Sequence, residues 1–296
     1  MSKWQRRSGI MLAYPYSDKR IKKNFSLPYL VQPKLNGERC RIVVKQGRAT
    51  LLSSEENEIV SVPHIKNAVE ALIPSGSLEL DGELYSHGMS LQKIHSIVSR
   101  KKCGHPDAEE ISFNCFDLVL DMPQVARLDL LYKNLWPLMY GPLEVVPTNP
   151  CSSIEEVESL LISYMEDGYE GIVIRDPRAN YMRKRATTML KWKPRKQDCY
   201  QIVGYAEEVD QYGIAKGTLG SLICLSDDMT FSVGSGTLLT QEARRNLWME
   251  KEALVGKYAV IRYPALTDRG IPSHPVVIEI SNSFIKDDDN ESLYYE

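Results

Sequence analysis

Lys34 lies in the run Lys34-Leu35-Asn36-Gly37-Glu38-Arg39, between two apolar stretches, Tyr29-Leu30-Val31 and Arg41-Ile42-Val43-Val44, that read as strands. A lysine presented in a short loop can attack an electrophile if its surroundings leave the amine unprotonated. Gly37 suits a tight turn and lets a phosphate come close to the backbone. Taken alone, Lys-x-Asn-Gly also describes many solvated surface turns. Further along, Lys191 and Lys193 alternate around Trp192, so on a strand they share a face. Two lysines on one face can offset negative charge that builds in a transition state. A solvated strand face is the rival reading.

Lys34 opens a series. Leu80-Asp81-Gly82-Glu83-Leu84-Tyr85 follows it, then Phe113-Asn114-Cys115-Phe116-Asp117, Glu170-Gly171-Ile172-Val173-Ile174-Arg175 and Leu190-Lys191-Trp192-Lys193. Each element is unspecific, but five in this order resemble the nucleotidyltransferase motifs of ATP-dependent DNA ligases. The wider superfamily includes RNA ligases and mRNA capping enzymes. The resemblance runs from about Ile10 to the last strand before Lys286.

The resemblance implies that Lys34 attacks the α-phosphorus of ATP and expels pyrophosphate, leaving a lysyl-AMP phosphoramidate. Arg39, Glu83, Phe116, Glu170, Arg175, Lys191 and Lys193 match positions that hold the nucleotide. Phe116 would stack on the purine, with Ile174 or another apolar neighbour on the opposite face. Glu170 and Glu83 match positions that serve a divalent metal or the ribose. Mg²⁺ (or Mn²⁺) suits so few carboxylates because it keeps waters and shares phosphate oxygens. Arg39, Lys191, Lys193 and the cation would together disfavour the Lys34 ammonium. Asp81 is open between a site residue and a turn residue. By default Phe116 would be core and either glutamate an exposed strand end.

Three departures stand out. Asn36 replaces an aspartate that many DNA ligases place near the attacking 3′-hydroxyl of the nick. Ser53-Ser54 stands where relatives show Ser-Arg, so Arg41, Arg48 or another cation must meet the nick 5′-phosphate. The terminal basic motif of many relatives is missing, and Lys286 is the only nearby cation, ahead of the acidic run Asp287-Asp288-Asp289.

The elements that must position these residues alternate over the first two-thirds. Strand-like runs fall at 29–33, 39–45, 49–53, 77–85, 113–120, 171–175 and 189–193, and helical periodicity at 63–72, 90–99, 124–140 and 153–166. Pro63 and Ser152-Ser153 mark helix starts. Beyond Arg195-Lys196-Gln197-Asp198, glycine turns punctuate short strands with one helix near 241–251, a pattern that fits an OB-like barrel. The expected fold class is therefore α+β. An adenylation (nucleotidyltransferase) domain over 1–198, with antiparallel sheets and flanking helices, precedes an OB-fold domain over 199–296, with a charged and polar linker near 196–199.

Charge distribution supports a nucleic-acid partner. The net charge is only −3, yet residues 1–48 hold 12 Lys/Arg against 2 acids, and residues 178–196 hold 8 Lys/Arg and no acid. These basic blocks flank the motifs, so the positive field falls where polyphosphate must bind. No apolar run approaches a bilayer span, and the six cysteines lack metal-type or disulfide-type spacing. Reduced thiols and an intracellular setting (cytoplasm or nucleoid, or a host cell) are expected. The stretch 267–275 resembles the end of the OB domain in small phage and viral ligases. The expected activity is sealing of 5′-phosphate/3′-hydroxyl nicks in duplex DNA by a monomer using ATP. The rivals are a capping guanylyltransferase, an RNA ligase, and a non-catalytic nucleic-acid-binding OB protein.

Overall fold

A computed structural model describes residues 9–102, 104–236, 238–263, 266–267, 269–284 and 294–295. The chain divides into two compact units, Met1–Trp192 and Lys193–Glu296. The strands of the first unit are β1 (Leu12–Pro15), β2 (Tyr29–Pro33), β3 (Glu38–Lys45), β4 (Arg48–Ser53), β5 (Ser77–Tyr85), β6 (Ser112–Leu118), β7 (Leu143–Val145), β8 (Asn149–Cys151), β9 (Ile172–Arg175) and β10 (Arg185–Trp192). Its helices are α1 (Asp18–Asn24), α2 (Pro63–Leu72), α3 (Leu91–Val98), α4 (Gln124–Leu130) and α5 (Ile154–Glu166).

These strands form two five-stranded sheets, ordered β1-β10-β9-β2-β8 and β4-β3-β5-β6-β7. Most pairs are antiparallel; β1 with β10 and β6 with β7 are parallel. The Lys34 loop is the passage from β2 in one sheet to β3 in the other. The candidate nucleophile therefore sits where the chain changes sheets, with strands of both at hand. One core, including Ile42, Leu80, Ile94 and Phe113, underlies the β3–β6 sheet. Another, including Val31, Leu161, Ile174 and Trp192, lies between the other sheet and α5.

Helix starts follow the sequence signals. Pro63 stands in the first turn of α2, where a missing N–H costs nothing. Ser153 caps α5 by accepting from the Glu156 N–H. The helix expected over 124–140 ends at Leu130 and widens into a π turn (Leu131–Leu135) before a tighter 3₁₀ turn (Trp136–Leu138) that contains Pro137. The proline lacks the N–H needed to continue an α-helix.

The second unit is one antiparallel sheet of β11 (Pro194–Val209), β12 (Ala215–Ser226), β13 (Met229–Val233), β14 (Tyr258–Tyr263), β15 (Val276–Ser281) and β16 (Tyr294–Tyr295), with α6 (Gln241–Met249) after β13. The order is β13-β12-β11-β14-β15, with β16 also pairing β11. Ile202, Leu222, Cys224, Ile261 and Val277 share its core. The sheet is OB-like and stays open among the described residues. The segment 196–199, expected as a linker, belongs to β11, where Lys196 to Cys199 pair with Tyr263 to Val260. Backbone pairing and a contact from the Tyr263 hydroxyl to Asp198 outweigh the polar composition that suggested a hinge. Cys40, Cys115, Cys151, Cys199 and Cys224 are free thiols. No helix of the described residues is long and apolar enough to cross a membrane.

Candidate active site

A cavity of about 200 Å³ opens beside the Lys34 loop, and Lys34, Arg39, Glu83, Phe116, Arg175 and Lys191 line it. The loop is clamped by its backbone: the Lys34 N–H donates to the Gly171 carbonyl (2.8 Å), and the Glu170 N–H donates to the Lys34 carbonyl (3.1 Å). These bonds extend the β2–β9 ladder by one step beyond Pro33 and Ile172. They bring Glu170 to the nucleophile, and Lys34 Nζ contacts Glu170 Oε2 directly. Gly171 adopts φ +138°, backbone that favours glycine, which explains the residue following Glu170. Gly37 is needed for space, since a Cβ there would sit 2.3 Å from the Leu84 carbonyl oxygen and 2.9 Å from Glu83 Cγ.

Glu83 lies on β5 and Glu170 just before β9, and Glu83 senses the charge of Glu170. Burial pushes Glu83 up to about 7, with Arg39 and Lys34 pulling down and Asp81 and Glu170 adding to the rise. A carboxyl that ionises only near neutrality beside a second carboxylate suits a cation or a polar ribose hydroxyl. This pair is too small to make a metal centre of protein ligands alone; no cluster of three or more candidate ligands exists among the described residues.

Arg39 and Arg175 are each held by a buried carboxylate. Arg39 makes a bidentate pair with Asp81 (2.8 and 2.7 Å) and donates to the Met11 carbonyl at 3.1 Å. Burial opposes its charge, but Asp81 more than offsets this and holds Arg39 firmly cationic. Asp81 is fully buried on β5 and also accepts from the Tyr181 hydroxyl, so the turn reading for it is wrong. Arg175 donates to Gln32 Oε1 (2.7 Å) and Asp117 Oδ2 (2.9 Å) within a buried network. Its other members are Arg127, which donates to Asp117 Oδ1 at 2.7 Å, and Gln124. Both guanidiniums then reach Phe116, with their carbons 4.6 Å (Arg39) and 5.2 Å (Arg175) from the ring centroid. Each thus braces the aromatic wall of the cavity while its charge is satisfied by a buried aspartate.

Strand alternation decides between Ile174 and its apolar neighbour. Ile174 is fully buried in the core against α5, and Val173 faces the cavity in its place. Lys191 lines the cavity, whereas Lys193 lies past the end of β10, counts with the second unit and is not among the lining residues. Asn36 is exposed in its turn. Arg41 pairs with Glu56 and, at 2.7 Å, with Glu79, so it is spent on structure. Arg48 pairs in register with Lys45 at the end of the β3–β4 hairpin remote from Cys40 and Ser53, and so away from the Lys34 loop. Lys286 lies outside the described residues. Sequence reading missed Gln32, Asp117, Arg127, Tyr181, Arg185 and Met189; of these only Asp117, beside Phe116, lay inside a quoted motif.

Residues 10–193 match the family described as the ATP dependent DNA ligase domain, and residues 212–280 match the DNA ligase OB-like domain. The chain belongs to the ATP-dependent DNA ligase family. Among curated relatives, a DNA ligase of African swine fever virus (strain Badajoz 1971 Vero-adapted) is 27% identical over 267 residues, covering 82% of this chain and 61% of the viral protein. The chain thus spans about three-fifths of that relative's length. A DNA ligase of Haemophilus influenzae is 24% identical over 194 residues, covering 65% of this chain and 68% of its own. In fold, the ligase-family chain is similar to a Lig E DNA ligase (TM-score 0.74, 23% identity, 92% of this chain and 98% of that one). It is also similar to the ATP-dependent DNA ligase of bacteriophage T7 in complex with ATP (TM-score 0.57, 18% identity, 93% and 99%).

Proposed function

We propose that this chain seals nicks in duplex DNA through a lysyl-AMP intermediate formed from ATP. One observation carries the reading: a single cavity gathers Lys34, Glu83, Phe116 and Lys191 where the two sheets meet, with Glu170 held against the lysine amine. Lys34 Nζ attacks the α-phosphorus, a P–N bond forms, and the bond to pyrophosphate breaks. The amine must first leave its contact with Glu170. Lys191 offsets charge on the α-phosphate, and Phe116 and Val173 form the apolar walls for the purine. Glu170 and Glu83 would hold Mg²⁺ with water and phosphate oxygens completing its shell, and its chemistry is to neutralise phosphate charge. AMP then passes to the 5′-phosphate of the nick, and attack by the 3′-hydroxyl releases AMP and joins the strand.

The DNA ligase reading is favoured over capping or RNA-ligase readings by the family match in both units. A nicked duplex is the proposed partner, the chain acting as a monomer inside a cell. The test is to incubate the protein with labelled ATP or GTP and Mg²⁺, then to add a nicked duplex. Acid-labile label from ATP, lost as the nick closes, is the expected result. Label from GTP alone would favour the capping reaction, and no label would leave a binding protein.

A further inference from the structure

Glu83 stands on β5 and Glu170 in the turn before β9, so their spacing depends on whatever ties that strand to that turn. Along β5 side chains alternate, and Tyr85 therefore faces the same way as Glu83. Tyr85 is buried, and that burial pushes its phenol up to about 12, so it keeps its proton at neutral pH. Its hydroxyl and His87 Nδ1 are hydrogen-bonded at 2.9 Å. The His87 ring in turn lies 5.0 Å from the Tyr169 ring, tilted by 55°, and Tyr169 immediately precedes Glu170. The same imidazole packs on Gly168, where an added Cβ would lie 3.9 Å from Cε1 and Nε2. Tyr169 is itself anchored to α5, since its N–H donates to the Tyr164 carbonyl (2.9 Å) and the two rings meet edge-on at 5.5 Å. His87 is exposed, so burial in a core does not account for these contacts.

We propose that His87 is a positioning residue that fixes the spacing of Glu83 and Glu170, by tying Tyr85 on β5 to Tyr169 beside Glu170. The proposal rests on the lysyl-adenylate reading for what the two carboxylates do. It does not need His87 to touch nucleotide or metal. Losing the ring frees the 168–171 turn to move relative to β5, and a cation shared by both carboxylates then binds less well.

The experiment compares wild type, His87→Ala and His87→Phe in three measurements. These are hydrogen exchange of residues 168–171, the Mg²⁺ concentration giving half-maximal self-labelling with ATP, and thermal stability. His87→Ala should speed exchange in the turn and raise the Mg²⁺ requirement by about tenfold, the usual scale for residues that support metal ligands. Labelling at saturating Mg²⁺ and the melting temperature should stay near wild type. His87→Phe keeps the ring on Tyr169 and Gly168 but loses the Tyr85 hydrogen bond, so both properties should fall between those of His87→Ala and wild type. Unchanged exchange and unchanged Mg²⁺ dependence in His87→Ala would overturn the proposal. So would a parallel collapse of stability and labelling, or a His87→Phe protein no better than His87→Ala. If wild type takes no label from ATP, the ligase reading fails, while the exchange comparison still decides whether His87 ties the turn to β5.

Discussion

Asp117 is the residue whose loss should cost the first unit most. It is fully buried and receives five hydrogen bonds. Two come from Arg127, which is itself fully buried, and one from Arg175, which is nearly so. Asp117→Asn keeps the shape, removes the charge that two guanidiniums face, and turns an amide donor toward other donors. Breaking such a buried pair by changing one partner costs about 3–5 kcal/mol, because a charge stays behind uncompensated. For a unit of this size each kcal/mol lowers the melting temperature by roughly 2–4 °C, so a fall of about 6–20 °C is expected. Arg175 also braces Phe116 at 5.2 Å, so in the cold, where the variant stays folded, the KM for ATP in self-labelling should rise. Urea denaturation of Asp117→Asn, Arg127→Met and the double variant separates the causes. The double variant should be more stable than the sum of the singles implies, by about 1–3 kcal/mol, since Arg127 is then no longer stranded. A loss below about 1 kcal/mol for Asp117→Asn, or strict additivity, would falsify the view that Asp117 is a charge hub.

Other perturbations test the site itself. Lys34→Ala should take no label from ATP yet still seal a nick that already carries 5′-AMP. Its melting temperature should barely move, because the partly exposed Lys34–Glu170 pair contributes only about 0–1 kcal/mol. Gly37→Ala must push its new Cβ away from the Leu84 carbonyl and Glu83, and should slow labelling by about tenfold or more at unchanged DNA affinity, consistent with a displaced nucleophile. Glu83 ionises near 7 when folded, against 4.5 as its ordinary value, so its contribution to stability is full below the lower value and is lost as pH rises through the upper one. The melting temperature of the metal-free protein should therefore fall over that range, and Glu83→Gln should flatten the profile. Nick binding should weaken steeply with salt, by roughly −0.9 in log–log slope per phosphate contacted, and a slope near zero would remove DNA from the substrates.

Much of the scaffold was legible because burial and periodicity coincide. The spans 29–33, 63–72 and 77–85 match β2, α2 and β5 residue for residue. Short polar elements were not legible. In α1 only Ile21 is buried, so no apolar stripe announces it, and its Ser17 cap bond is visible only in three dimensions. β1 is four residues long and is recruited as a parallel edge strand by β10 across a bulge. Isolated, it has no pattern that differs from a loop.

At the site the sequence showed which segments meet at the cavity but not which partners hold each side chain. Alternation along β9 sends Val173 and Arg175 to the cavity side and Ile174 to the core, a choice that one fixed contact would have settled from sequence alone. The two arginines are harder. Their residue type and motif position fit a nucleotide ligand, yet Asp81 and Asp117 each occupy a guanidinium before any ligand arrives. A buried arginine without a carboxylate would be prohibitively costly, so the aspartates are the condition for having arginines behind Phe116 at all. The charges that make the pocket wall rigid are thus already balanced within the protein. Under the proposed ligase reading the phosphate chemistry falls to Lys34 and Lys191, which line the same cavity.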